Sequence, residues 1–363
     1  MLTTRQPVLR RFWYPVMPVA LVEQGPQPFT LLGERIVLWK VADGGYAAMA
    51  DRCPHRSAAL SKGWVDGDKI VCPYHGWAYD GAGACVRIPQ RPDSNGLRGT
   101  AVKSFRCEAR YGHLWVALDE PLSAIPDWSE EKDPGYRRID QFYERWNCAP
   151  FRLMENSFDN AHIHFVHRGT FGDINDPNPP LPTIERFDYG FVARSDLRVY
   201  NNALQKKNLH DDSPFTVRHT TASWYLPFLR RLHIRYPSGL DHIIVTAATP
   251  IADDACQVVQ FCFRNDIEQQ APAADIIAFD RKVTEEDRAI LQGTDFDVPL
   301  DMNSGVERHM PSDQPGLLMR RMLLDLLAAH GETEHTRHYV SSPPHATRGE
   351  VSASYADGGV KGS

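Results

Sequence analysis

With 363 residues, 42% of them apolar and 24% charged, the chain is long enough for two ordinary domains and has a globular composition. A net charge of −6 and a calculated isoelectric point near 6.2 exclude broad nucleic-acid binding and leave room only for a local basic patch toward an acidic redox partner. Seven cysteines are an odd number without framework spacing, and the apolar run 12–22 is broken by Pro15 and Pro18, so a reduced, cytoplasmic chain without signal peptide or membrane anchor is expected.

From 12 to 118 the chain alternates short apolar runs with Gly and Pro punctuation, as in 29–32, 36–39 and 113–118. These predict the strands of a small all-β domain over 8–120. Inside it lies Cys53-Pro54-His55, then sixteen residues, then Cys72-Pro73-Tyr74-His75. Each loop carries one thiol and one imidazole. A [2Fe–2S] cluster with both cysteines on one iron and both histidines on the other needs that mixed pairing. Zinc fingers usually pair Cys with Cys and His with His, so a Cys2His2 zinc site is the bland alternative. Pro54 and Pro73 stiffen the loops, Gly76 lets backbone pass close to sulfur, and Trp77 and Tyr79 can cover one side.

The segments DRCPHRSAALSKG and CPYHGWAYD resemble a Rieske iron–sulfur domain. The extra loop cysteines of the respiratory-complex branch are absent, since Arg56, Ser57, Ala58 and Tyr74 fill those places. The resemblance therefore points to the oxygenase or ferredoxin branch, with Cys53, His55, Cys72 and His75 as cluster ligands.

The Pro-, Asp- and Ser-rich stretch 119–133 reads as a domain boundary. Beyond it, 121–335 predicts an α+β domain. Helices are expected over 148–166, 274–291 and 317–330, and strands of one antiparallel sheet over 191–199, 215–224, 232–236, 243–249 and 256–263. The Ser-, Gly- and Pro-rich tail, 336–363, is expected to be mobile. No internal repeat is present.

The segment ENSFDNAHIHFVH (155–167) carries acids and three histidines. Two histidines and one carboxylate on one face suit a mononuclear Fe(II) that keeps positions open for oxygen and substrate. His162 and His167 are the candidates. On an ideal helix they stand about 140° apart, so the helix must widen or end between them. His164 competes, but sits about 200° round from His162 and should face away.

D-x-x-H-x-x-x-x-H after Glu155-Asn156 resembles the catalytic motif of the Rieske non-haem iron oxygenases, α-subunit type. The likeness includes Trp13-Tyr14-Pro15 and the Gly33-Glu34 turn and covers nearly all but the tail. It implies a Rieske domain followed by a helix-grip-like catalytic domain, with an antiparallel sheet and flanking helices. His162 and His167 become iron ligands, Asp159 the bridging acid and Asn156 a polar residue behind the metal. The third ligand falls on Asp287 in TEEDR, with Glu286 and Asp295 as weaker alternatives.

The same resemblance implies a head-to-tail homotrimer in which His75 meets Asp159 of the neighbour, and electrons from NAD(P)H delivered by a separate flavin reductase, directly or through a ferredoxin. The chain has no G-x-G-x-x-G fingerprint of its own. The length and motif spacing resemble the vanillate demethylase, dicamba demethylase and pheophorbide oxygenase branch. That implies monooxygenation, by hydroxylation or O-/N-demethylation, of an aromatic or other small organic substrate, with ring cis-dihydroxylation as runner-up and a non-catalytic electron carrier as the remote alternative. The segment GDINDPNPPL (172–181) is a candidate lid. Trp224, Tyr225, Phe228, Ile243 and Val245 are candidate pocket walls, and Arg235 or His242 candidate partners of a substrate carboxylate, although His242 also reads as structural.

Overall fold

The computed structural model describes residues 1–42, 44–92, 99–209 and 211–337. The expected mobile tail, 336–363, lies outside the described residues except for its first two.

The N-terminal domain opens with β1 (Tyr14–Pro18), the one-turn helix α1 (Val19–Val22), β2 (Gln27–Leu31), β3 (Glu34–Lys40) and β4 (Tyr46–Ala50). The short strands β5 (Trp64–Asp66), β6 (Lys69–Val71), β7 (Ala78–Tyr79) and β8 (Cys85–Arg87) follow. β9 (Ser104–Arg110) and β10 (His113–Ala117) close the domain. Its first sheet runs β1-β10-β9-β4-β3-β2, and the second is the four-stranded β5-β6-β7-β8. The domain is all-β, as the short alternating runs predict.

The C-terminal domain holds β11 (Arg137–Trp146), α2 (Pro150–Ser157), the single turn α3 (Ile163–Val166), β12 (Thr183–Phe187), β13 (Gly190–Tyr200) and α4 (Ala203–Leu209). It continues with β14 (Phe215–Tyr225), β15 (Leu229–Arg235), β16 (Asp241–Ala252), β17 (Ala255–Arg264), α5 (Ala273–Leu291) and α6 (Gln314–Ala329). Its sheet is antiparallel in the order β11-β17-β16-β15-β14-β13-β12. The result is the expected α+β arrangement.

Strand alternation decides which residues see which side of this sheet. Odd positions such as Leu229, Ile243, Val245 and Phe261 pack with Tyr111 and Trp115 of the N-terminal domain. Even positions such as Leu232, Ile234 and Ile244 line a cavity that Phe279 and Val283 of α5 close from the other side.

Two expectations need correction. Strands β11 and β12 do not appear among the expected ones. In β11 a register shift between Asp140 and Phe142 interrupts the apolar alternation that would reveal it. The helix expected over 148–166 is two pieces, α2 and α3, with a break between them. Residues 1–12 are tied to the second domain. The Met1 ammonium donates to Val298 O at 2.8 Å, and the Val8 amide donates to Glu332 Oε1 at 2.8 Å. Val8, Leu9 and Phe12 share one core with Trp146, Met154 and Leu323, so both domains rest on a common apolar cluster.

Candidate active site

The two loops of the N-terminal domain are built alike. The Cys53 amide donates to Ala58 O at 2.8 Å, and the Ser57 amide returns to Cys53 O at 2.9 Å. In the second loop the Cys72 amide donates to Trp77 O at 2.8 Å, and the Gly76 amide returns to Cys72 O at 3.1 Å. Ser57 and Gly76 occupy equivalent places and both have positive φ, 59° and 72°. The backbone conformation thus favours Gly76, and a Cβ there would also crowd Pro89 at 3.2 Å, although Ser57 adopts the same conformation in the first loop.

Cys53 and Cys72 are buried, whereas His55 and His75 are half-buried. The two imidazoles face each other with centroids 4.4 Å apart, and His55 stacks on Trp77 at 4.6 Å. The Tyr79 hydroxyl lies 3.2 Å from Cys53 Sγ, placed to donate to a thiolate there. Burial raises the Cys72 thiol and depresses His55, and the neighbouring His75 and Arg56 depress His55 further.

The four donors suit a cluster better than one ion. Among the described residues, the His, Cys, Asp and Glu side chains whose donor atoms converge within 4.8 Å are two other triads. No three of Cys53, His55, Cys72 and His75 meet at one point, as a tetrahedral zinc at ~2.0–2.3 Å from each donor requires. A thiol pair inside and an imidazole pair at the surface match a two-iron group instead.

The second site sits where α2 and α3 separate. Pro150 starts α2 at its first position, where a missing amide costs nothing. Ser157 Oγ turns back to Leu153 O at 2.7 Å at the end of α2, and Asp159 Oδ1 accepts from the Ala161 amide at 2.7 Å in the break. The chain then makes the turn α3 and stops at His167. The His167 carbonyl accepts from the amides of Thr170, Phe171 and Gly172 and from Thr170 Oγ1, which anchors this corner. A Cβ on Gly172 would stand 2.3 Å from Ile163 O, so only glycine lets the chain pass.

This break brings His162 and His167 together. Their Nε2 atoms are 3.2 Å apart, and Asp287 Oδ1 lies 3.4 Å from the first and 3.3 Å from the second. Cis ligands of an octahedral ion at ~2.1 Å lie about 3 Å apart, so the triad fits one mononuclear metal with an open face. Burial works against the Asp287 charge, but its contacts with the His162 and His167 imidazoles outweigh it and hold the carboxyl well below its usual range.

The surrounding contacts orient each ligand. His167 Nδ1 is 2.9 Å from Glu286 Oε2, and a carboxylate only accepts, so Nδ1 carries the proton and Nε2 keeps its lone pair. Glu286 also accepts from Thr170 Oγ1 at 2.8 Å. Burial would lower His167, yet Asp287 and Glu286 together raise it. Asn156 Nδ2 donates to Asp287 Oδ1 at 3.0 Å. Its neighbour Glu155 belongs to a different network, accepting from Arg320 at 2.6 Å and Arg152 at 3.1 Å. Asp159 Oδ2 stands 3.8 Å from His162 Nδ1, a buried atom with no hydrogen-bond partner among the described residues.

Of the competing acids, Glu286 is thus the residue behind His167, and Asp295 is exposed and offers only its backbone carbonyl, to Arg152. His164 turns away, its Nδ1 3.0 Å from Asp173 O.

The cavity beside the triad has a volume of about 140 Å³. Its walls differ from those expected. Ile243, Val245 and Tyr225 lie on the opposite face of the sheet, and Trp224 and Phe228 are in the common core. A one-residue change of parity moves a side chain from one face to the other. Arg235 is likewise outside the cavity and paired with Asp241 at 2.8 Å. His242 lines the cavity, 3.3 Å from Asp280 Oδ2. His242, Asp280 and Cys262 form the second triad, wholly buried and tied to Gln141 and Gln260. Pro182 lines the cavity just after the lid candidate, and 172–181 has no regular secondary structure. Arg218, Arg230 and Thr170 were not among the expected site residues, because charged and hydroxyl side chains on alternating strands or short turns read as solvent-facing.

Comparison with known proteins gives a consistent picture. Residues 12–106 match the Rieske [2Fe-2S] domain, and residues 146–329 match the vanillate O-demethylase oxygenase C-terminal domain. The methylxanthine N1-demethylase NdmA of Pseudomonas putida is 33% identical over 89% of this chain and 91% of its own length. The dicamba O-demethylase oxygenase component of Stenotrophomonas maltophilia is 37% identical over 44% of this chain and 48% of its own. The structure of Pseudomonas putida CBB5 NdmA with caffeine superposes with a TM-score of 0.78 at 30% identity, covering 91% of this chain and 94% of that one.

Proposed function

The chain belongs to the Rieske non-haem iron oxygenases, and from that premise we propose that it is an oxygenase component that removes an O- or N-methyl group from a small aromatic substrate. The observation that carries this reading is the His162–His167–Asp287 triad opening onto the cavity between the sheet and α5. The relatives with demethylase names support the choice of reaction over ring dihydroxylation.

In this reading the Rieske domain is approximately 8–120 and the catalytic domain 121–335. Cys53, Cys72, His55 and His75 hold the [2Fe–2S] cluster, and His162, His167 and Asp287 hold the mononuclear iron. When bound, these groups supply single electrons and a binding place for O2. The protein residues do the rest. Glu286 keeps the His167 tautomer, Asn156 fixes the Asp287 carboxylate, and the apolar cavity excludes water from the reacting carbon. Oxygen insertion into a methyl C–H consumes one O2, two electrons and two protons. The second oxygen atom leaves that step as water, and the hemiacetal or hemiaminal then collapses to the demethylated product and formaldehyde.

The electrons come from NAD(P)H through a separate flavin reductase or ferredoxin. His75 is half-buried at the surface and the Asp159 side chain is 34% exposed, so each is accessible to a neighbouring subunit. This supports a head-to-tail homotrimer in which His75 of one subunit meets Asp159 of the next. No helix among the described residues is long and apolar enough to cross a membrane. We assign the protein to the cytoplasm on its seven cysteines, none of them in a disulfide.

The test is reductase-coupled incubation with aryl methyl ethers and N-methyl aromatics, followed by product mass. Loss of CH2 with release of formaldehyde is expected. Gain of two oxygens and two hydrogens on the ring would replace demethylation by dihydroxylation.

A further inference from the structure

Three arginines among the described residues are less than 9% exposed: Arg218, Arg264 and Arg320. Two are neutralised by carboxylates. Arg264 pairs with Asp266, and Arg320 with Glu155 and Glu307 at 2.6 Å each. Arg218, 7% exposed, makes no hydrogen bond or ion pair with any described residue, and its Nε is buried without a partner. A buried cation without a counter-charge is costly, and proteins retain one where something else supplies the anion.

Arg218 lines the cavity beside the iron triad. Its guanidinium lies over Phe171 at 4.2 Å and near Tyr236 at 6.0 Å. The stack on Phe171 satisfies the face of the guanidinium but leaves its in-plane N–H donors unused. One more donor stands at the same end. Tyr236 Oη accepts from Gln205 Nε2 at 3.2 Å, which leaves its own proton free. His242 also lines the cavity, but its Nε2 faces Asp280 Oδ2 at 3.3 Å, and a neutral ring has no second proton to offer.

Arg230, the other cavity arginine, is half-buried and its Nε also lacks a partner among the described residues; burial pushes its pKa down, and the nearby Asp287 carboxylate opposes that shift. Asp280 accepts from Gln141 Nε2, meets the His242 ring and interacts favourably with Arg264. Arg218 is thus the more buried of the two cavity arginines, and no described carboxylate pairs with it.

We propose that the substrate carries a carboxylate that is bound by Arg218, with Tyr236 as a neutral donor, at the cavity end away from the iron. One guanidinium balances one negative charge and offers the fork that a carboxylate fits. The placement also sets a length. Phe171 contacts both Arg218 and His167, stacking on the latter at 4.8 Å. His242 meets Asp280, and Asp280 precedes Asp287 by two turns of α5, about 10 Å along its axis. A single aromatic ring with its carboxylate at one end and its methylated heteroatom at the other suits that span. The proposal rests on the oxygenase reading only in taking the ligand of this cavity to be the substrate.

The experiment is anaerobic calorimetry on the holoenzyme without reductase, so that binding is read apart from turnover. The probes are the 2-, 3- and 4-methoxybenzoates and the corresponding methoxybenzamides, which keep the shape and remove the charge. At least one benzoate should bind ten- to a hundredfold more tightly than its amide. In Arg218→Gln the preference should fall to near parity while the amide affinity and the visible spectrum of the cluster stay unchanged. Arg218→Lys should keep part of the preference, and it serves as the readout should Arg218→Gln not fold. Equal affinities in the wild type, no binding of any benzoate, or a preference that survives in Arg218→Gln or is unaltered in Arg218→Lys would overturn the proposal. Selective benzoate binding without formaldehyde release under reductase-coupled conditions would instead refute the demethylase reading and leave this one standing.

Discussion

The cluster loops and the iron triad solve the same problem, holding a metal group with few donors, in opposite ways. The four cluster donors fall within 23 residues, Cys53 to His75, and each loop closes on itself through backbone bonds from its own cysteine. The triad draws two ligands from one broken helix and the third from α5, 120 residues after His167. The cluster donors therefore depend on local turns, and the triad depends on packing α5 against the sheet. The first arrangement leaves its histidines half-buried for electron exchange, while the second keeps its metal face inside a cavity.

The largest effects should separate the two sites outright. Cys72→Ser should abolish the visible cluster spectrum and reduce turnover below detection, with Fe(II) still bound at the triad. Asp287→Ala should do the reverse, keeping the spectrum and losing one iron per chain along with turnover. Iron and acid-labile sulfide analysis reads both. A Cys72 variant that also loses the third iron would show that the sites are not independent.

Asp159 tests the joint between them. Asp159→Ala should retain three irons and two sulfides per chain, and turnover should still fall at least roughly a hundredfold, since the residue links His162 to the incoming electron. Rapid-mixing reduction of the cluster should be normal, and electron arrival at the iron slow. Unchanged turnover would remove the bridging role. Glu286→Gln should have a smaller effect. An amide in place of the carboxylate weakens the hold on His167 Nδ1, and Fe(II) affinity should drop about 10- to 100-fold with the cluster untouched.

The same contrast explains what was readable beforehand. Cys53, His55, Cys72 and His75 stand out because their chemistry is local in sequence. His162 and His167 are legible as residues, but their convergence is not, because it needs the break that Asp159 and Gly172 stabilise. Asp287 could be chosen over Glu286 only by likeness to a family, since both lie on one charged stretch of helix. The cavity walls were misread by a single step of parity: Ile243 and Val245 were expected, and Ile244 is there. Periodicity tells which residues share a face but not which face meets the iron. Arg218 was hidden for a related reason, since an arginine alternating in a strand looks solvent-exposed until the sheet is covered.

The smallest expected effect concerns stability, and it isolates the cavity wall from both metal sites. Burial depresses His242, Arg264 and Arg218 add to the depression, and Asp280 opposes it. The native chain therefore keeps His242 neutral at a pH where the unfolded chain, with a histidine near 6.5, takes up a proton. Below that pH the unfolded state binds more protons, so this residue makes stability fall as the solution is acidified, and its contribution is complete above about 6.5. The slope for one histidine is at most about 1.4 kcal/mol per pH unit. Urea unfolding of wild type and His242→Gln between pH 5 and 8 reads it as a difference. The variant should lose a constant amount at high pH, where Gln replaces the contact with Asp280 imperfectly, and the gap should narrow toward pH 5. A gap that widens on acidification would mean that the native His242 is protonated with Asp280, and that a second positive charge stands beside Arg218.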